Sequence, residues 1–180
     1  AHTALLFLHN YLNDQSATEL LAEARRYGEL VKRKCSHTNT EWKNDPNPER
    51  CLRIGFVSGD LRRHPVGFFL EGVLTALASI ASQRWKLFAY SNFCRNDEIT
   101  QRLKACCEGW HSVAGISDKV VSEIICEDGI DILIDLSGHT MYNRLPLFAW
   151  KPSPVQVTWL GYFATTGVAQ IDYLLADPWT

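Results

Sequence analysis

From residue 52 onward, short apolar runs alternate with longer stretches whose apolar residues recur at helical spacing. Leu52–Ser58 predicts a strand, Gly67–Ile80 a helix and Trp85–Ser91 a second strand. A helix over Asp97–Glu108 and a short strand at Trp110–Val113 follow. Ser117 fits the cap of a helix that ends near Gly129, a residue type favoured just past helix ends. Ile132–Leu136 is apolar at nearly every position, as expected of a strand covered on both faces. Val155–Leu160 and Tyr173–Ala176 predict two more strands. Strands alternating with helices give an α/β fold, a Rossmann-like, mostly parallel sheet with helices on both faces.

The opening of the chain has a different rhythm. Ala4, Leu5, Leu6, Leu8, Tyr11 and Leu12 form one short apolar face. A second helix starts at Ser16, where Glu19 three residues on completes a capping box, and ends in the basic Lys32, Arg33 and Lys34. Residues 35–50 are rich in Asn, Thr and Pro and read as a linker. The expected organisation is a helical segment over 1–34, a linker over 35–50 and a Rossmann-like domain over 51–180.

Composition narrows the function classes. The chain is 46% hydrophobic and 21% charged with a net charge of −2, so no surface for binding nucleic acid is expected. Residues 1–13 lack the basic region and small-residue cleavage site of a secretory signal. Pro152–Ile171 is uncharged for about a bilayer's thickness, yet prolines, glycines and glutamines interrupt it, so it reads as buried strand plus loop and not a membrane span. The six cysteines include no Cys-x-x-Cys pair, and adjacent Cys106 and Cys107 are poorly placed to bridge each other. Reduced thiols in a cytoplasmic protein are expected, and no metal site, because Cys94, Cys107 and His111 lack paired ligand spacing.

Three strand-end loops carry the candidate chemistry. After the first strand come Ser58-Gly59-Asp60-Leu61-Arg62-Arg63-His64-Pro65, with no Gly-x-Gly-x-x-Gly and no Walker-type lysine. A residue before proline avoids the α region, and proline suits the first helical position, so His64 fits a helix cap with its ring outside the helix. Asp60 and His64 sit where open α/β sheets bind ligands, beyond the carboxyl end of a strand. The plain alternative is a cap and a loop-stabilising carboxylate with no further role. The second loop, Asp135-Leu136-Ser137-Gly138-His139-Thr140 with Arg144 beyond, allows close backbone approach to a ligand or forms an ordinary polar turn. The third, Trp159–Gly167, mixes aromatics with small and hydroxyl residues, a composition suited to a sugar or peptide. Ser58 lacks the Gly-x-Ser-x-Gly elbow of a hydrolase.

The stretches RIGFVSGDLRRHPVGFFL (53–70), EDGIDILIDLSGHT (127–140), NRLPLFAW (143–150) and PVQVTWLGYFATTG (154–167) resemble the amino-terminal catalytic half of protein O-GlcNAc transferases. That is glycosyltransferase family 41, and its bacterial members with tetratricopeptide repeats are the most alike. The resemblance implies one half of a GT-B fold, in an inverting enzyme that moves N-acetylglucosamine from UDP-GlcNAc to Ser or Thr hydroxyls of proteins. It implies no catalytic metal and no cofactor beyond the donor. Implied partners are acceptor proteins, a carboxyl-terminal catalytic half and upstream tetratricopeptide repeats. Asp60 and His64 match the family's acidic residue and His-Pro histidine at the active site. Leu160, Gly161 and Tyr162 match a turn at the sugar pocket, and Thr140 and Arg144 a loop on the cleft side. His139 stands where animal members carry tyrosine, and His2 resembles a histidine near the acceptor channel. A related protein O-fucosyltransferase, or an interaction module that keeps the fold without the chemistry, fits the same motifs.

Overall fold

A computed structural model describes residues 2–12, 15–47, 49–80 and 84–178. The chain opens with α1 (His2–His9) and α2 (Ala17–Lys34). It continues through β1 (Leu52–Ser58), α3 (Pro65–Ile80), β2 (Trp85–Ser91), α4 (Glu98–Ala105), β3 (Gly109–Ser112) and α5 (Asp118–Glu127). The remaining elements are β4 (Ile132–Asp135), α6 (Leu145–Phe148), β5 (Val155–Trp159) and β6 (Tyr173–Leu175). The strands make one six-stranded sheet in the order β3-β2-β1-β4-β5-β6. All five pairings are parallel, as the alternation of strands and helices predicts.

The order places a switch point between β1 and β4. The chain builds outward from β1 to β3, then crosses back and builds the other way. Connections therefore leave β1 and β4 in opposite directions and open a crevice at their carboxyl ends. Successive residues of β1 face opposite sides of the sheet. Phe56 joins one apolar layer with Leu70 and Leu74 of α3 and Leu103 of α4. Val57 joins the other, with Ile125 of α5 and Phe148 of α6. Burying each of these side chains stabilises the fold by roughly 1.5–3 kcal/mol.

Leu6 of α1 and Ala24, Tyr27 and Val31 of α2 belong to that second layer, so the helical segment shares a core with the sheet. The docking is close. A Cβ on Gly28 would lie 1.9 Å from the carbonyl oxygen of Gly167, so α2 meets this loop backbone to backbone. The expected capping box is present, with the Ser16 side chain accepting from the Glu19 N–H. The stretch read as a linker lies along the sheet as a strap. Thr38 Oγ1 donates to the Ala149 carbonyl (2.9 Å), and Trp42 Nε1 to the Lys151 carbonyl (3.0 Å).

Two boundaries differ from the sequence expectation for physical reasons. The helix expected to reach Glu108 stops at Ala105, because the Glu108 N–H bonds the Leu87 carbonyl (2.8 Å) and begins the sheet contact of β3. The single turn of α6, with proline near its start, was not anticipated. Four residues are too few to show a helical period. Among the described residues no helix is long and apolar enough to cross a membrane.

Candidate active site at the sheet switch point

The loop after β1 is built around Ser58. Its buried Oγ accepts the Asp60 N–H (2.9 Å) and lies 3.2 Å from Ser137 Oγ, which ties the loops after β1 and β4 together. Asp60 is only 4% exposed. Its Oδ1 accepts from Arg62 Nη2 (2.9 Å). Arg62 is held by the Gly59 carbonyl (3.3 Å) and lies over the Phe93 ring at 4.3 Å. The nearest cation to Asp60 Oδ2 is His64 Nδ1 at 3.8 Å, too far for a hydrogen bond. One carboxylate oxygen therefore stays free among the described residues.

His64 is the expected cap. Its carbonyl accepts from the Phe68 N–H (3.0 Å), and its Nδ1 from the Val66 N–H (3.3 Å). A nitrogen that accepts carries no proton, so the neutral ring holds its hydrogen on Nε2. Asp60 thus offers an acceptor and His64 a donor within one loop.

The loop after β4 hangs from Asp135, a fully buried carboxylate. It accepts from the N–H groups of Ser137 (3.1 Å) and Gly138 (2.8 Å) and from Thr158 Oγ1 (2.9 Å). Burial nonetheless pushes its pKa up to about 6. The loop it shapes carries His139 and Thr140. Thr140 Oγ1 donates to the Ser137 carbonyl at 2.7 Å. His139 is 2% exposed, with Nε2 3.0 Å from the Thr166 carbonyl and its ring edge-on to Tyr27 and Tyr162. Burial pushes its pKa down to about 4.

A pocket of about 910 Å³ opens at the switch point. Asp60, Arg62 and His64 line it from the first loop, and His139, Thr140 and Met141 from the second. Thr3 and Phe7 of α1 and Tyr27 of α2 close its outer wall. The structure thus gathers Asp60, His64, His139 and Thr140 from two loops that lie about 75 residues apart (64 to 139) in the sequence.

The other expected residues fall elsewhere. Gly161 packs against β4, where a Cβ would lie 2.0 Å from the Leu136 carbonyl oxygen. Leu160, in the left-handed region at φ 71°, borders a separate hollow with Phe163 and Leu174. Tyr162 reaches the pocket only indirectly. It is buried behind His139, and its hydroxyl accepts from Asn10 Nδ2 (2.8 Å). Arg144, expected on the cleft side, instead turns toward α5. It pairs with Asp118 (3.0 Å) and donates to the Ile116 carbonyl (2.9 Å). His2 stands behind Tyr27 and pairs with Glu23 at 2.7 Å. Arg62 and Tyr27 are pocket residues that the sequence reading did not single out. Tyr27 was legible only as part of an apolar helical face, and the adjacent Gly28 is the one local sign of its close docking. Among the described residues no group of three or more His, Cys, Asp and Glu side chains is placed to hold a metal ion.

The Glycosyl transferase family 41 model matches residues 9–180. The chain belongs to this family. It is 40% identical over 176 residues to the Petunia hybrida probable UDP-N-acetylglucosamine–peptide N-acetylglucosaminyltransferase SPINDLY, spanning 96% of this chain and 18% of that protein. It is 35% identical over 129 residues to the UDP-N-acetylglucosamine–peptide N-acetylglucosaminyltransferase of Caenorhabditis elegans, spanning 70% of this chain and 11% of that one. Among solved structures, a K341M mutant of the Thermobaculum terrenum O-GlcNAc transferase superposes with a TM-score of 0.90 at 38% identity. That match covers 98% of this chain and 33% of the other. The chain therefore spans about a fifth to a third of the length of these family 41 relatives.

Proposed function

We propose that this chain is the amino-terminal half of the GT-B catalytic core of a protein O-GlcNAc transferase. UDP-GlcNAc is the donor, and Ser or Thr hydroxyls of proteins are the acceptors. The reading rests on one observation above the others: in a family 41 chain, Asp60 and His64 line the switch-point pocket with an unengaged acceptor and an unengaged donor. The names of the relatives supply the substrate class.

In this reading the acceptor hydroxyl oxygen attacks the anomeric carbon from the face opposite the diphosphate. The carbon–oxygen bond to UDP breaks, and UDP leaves with the electron pair, so the centre inverts. The hydroxyl proton passes to Asp60 Oδ2, directly or through one water, while His64 Nε2–H donates to a substrate oxygen. Thr140 lines the approach. A carboxyl-terminal half supplies most contacts to the diphosphate, upstream tetratricopeptide repeats present acceptors, and no catalytic metal takes part. Six free thiols suit a cytoplasmic site of action.

The test is transfer from UDP-GlcNAc to an acceptor protein by the full reading frame that carries this segment. Wild type is expected to turn over in the presence of a chelator. His64→Ala is expected to lose activity by two orders of magnitude or more. Undiminished transfer by His64→Ala would overturn the assignment. The 180-residue chain alone is expected to show negligible transfer.

A further inference from the structure

Two polar atoms at the inner wall of the pocket are left without partners. His139 Nε2 lies 3.0 Å from the Thr166 carbonyl, which can only accept, so this nitrogen carries the hydrogen. The ring is neutral near pH 7, because burial holds its pKa far below the ordinary histidine value. Nδ1 is therefore a lone pair, and it is buried with no hydrogen-bond partner among the described residues. An enclosed acceptor without a donor costs about 1–3 kcal/mol, so such atoms are kept where something else satisfies them.

The second atom is the Tyr27 hydroxyl. Tyr27 is 7% exposed, its ring centre lies 4.8 Å from that of His139, and its hydroxyl makes no hydrogen bond to the described residues. Burial, then the negative field of Asp135 and Asp118, keeps the phenol protonated. A lone pair that only accepts thus stands beside a hydroxyl that can donate. Both residues line the same pocket as Asp60 and His64.

We propose that His139 Nδ1 and the Tyr27 hydroxyl form a subsite for one neutral alcohol, whose proton is taken as a hydrogen bond by Nδ1 and whose oxygen accepts from Tyr27. Neither an anion nor a carbonyl ligand satisfies Nδ1, since neither brings a proton. The alcohol must turn the Tyr27 ring slightly to reach the nitrogen, which is closed to solvent in the unliganded chain. The role is binding and orientation, because a ring this hard to protonate is a poor base. The proposal rests on the glycosyl-transfer reading for the two sources of the alcohol: a hydroxyl of the donor sugar, or the Ser or Thr hydroxyl of the acceptor.

Tyr27→Phe removes only the hydroxyl and keeps the ring packing, so it is the variant of choice in the full-length protein. Affinity for UDP-GlcNAc and for UDP, and KM for a serine-containing acceptor peptide, are measured against wild type with the melting temperature as a control. A fivefold or greater loss of UDP-GlcNAc affinity with UDP unchanged supports the sugar as source. A similar rise in acceptor KM with donor affinity unchanged supports the acceptor side chain. Changes below twofold in all three, with an unchanged melting temperature, overturn the proposal. A readout independent of turnover is the ¹⁵N resonance of His139 Nδ1 in histidine-labelled protein, titrated with N-acetylglucosamine and separately with the peptide. A saturable shift typical of an acceptor gaining a proton donor supports the subsite, and no shift with either overturns it. Failure of wild type to bind UDP-GlcNAc would sink the glycosyl-transfer reading, and the nitrogen titration would still decide the subsite.

Discussion

Asp60 and Asp131 are both 4% exposed and lie at opposite ends of the sheet. Asp131, at the amino end of β4, is saturated. It accepts from the Arg53 N–H (2.8 Å), from Arg50 Nη1 (2.6 Å), from Arg50 Nη2 and from Asn44 Nδ2. Burial works against its ionisation, but these donors together hold its carboxyl below the ordinary aspartate range. Asp60, at the carboxyl end of β1, has one arginine on one oxygen and nothing within hydrogen-bond distance on the other. Two equally buried carboxylates are thus fixed for different ends. One clamps the strap to the sheet and has no capacity left, whereas the other keeps a free acceptor facing a pocket. Incomplete pairing of a buried charge is expensive, so where it persists it points to a ligand.

The largest expected effect is on turnover. In the full-length protein, Asp60→Asn is expected to lower kcat on the order of 10²–10⁴-fold. The melting temperature should change little, because the amide oxygen can still accept from Arg62. A variant that unfolds while keeping normal turnover per folded molecule would reverse the assignment of the two residues.

Asp131→Ala should do the opposite. Removing one member of a buried pair strands the Arg50 guanidinium and the Arg53 N–H, at a cost of about 3 kcal/mol. Urea unfolding would show this as a lower midpoint, and the folded fraction should retain its transfer rate. Loss of turnover without loss of stability would mean that the lower end of the sheet also takes part in the chemistry.

The same contrast explains what the sequence revealed. Element order, the Ser16 capping box and the cap role of His64 are local properties, written in apolar spacing and in the His-Pro step. The rim shared by Asp60, His64 and Thr140 followed from parallel strands, because their carboxyl ends must lie together. Arg144 was not legible in this way. Whether a guanidinium enters a cleft or pairs with Asp118 depends on where α5 begins in space, and no spacing in the chain encodes that. Gly161 was read as lining a sugar pocket, and its position is set by contact with β4. Gly161→Ala should cost about 1–3 kcal/mol through overlap with the Leu136 carbonyl. Unchanged urea stability in this variant would show that the β5 loop moves aside freely.

The smallest expected effect arises where two buried groups oppose each other beside the pocket. Asp135 titrates near 6 and His139 near 4, both through burial, against ordinary values of 3.8 and 6.5. Folded Asp135 holds its proton more tightly than the unfolded chain does, so its contribution is greatest below pH 4 and is lost as pH rises through about 6. Folded His139 holds its proton less tightly, so its contribution is present above about pH 6.5 and is lost as pH falls through about 4. Each shift of roughly two units is worth on the order of 3 kcal/mol, over the same window and with opposite sign. The pair therefore adds almost no net pH dependence to the wild type between pH 4 and pH 6.5. Substituting either group exposes the other. Relative to wild type, Asp135→Asn should fare better at pH 7 than at pH 4, and His139→Phe better at pH 4 than at pH 7. Urea unfolding of both variants at the two pH values measures these differences directly. Slopes of the same sign in the two variants would show that one of these groups is not held in the buried, neutral state that the pocket wall imposes on it.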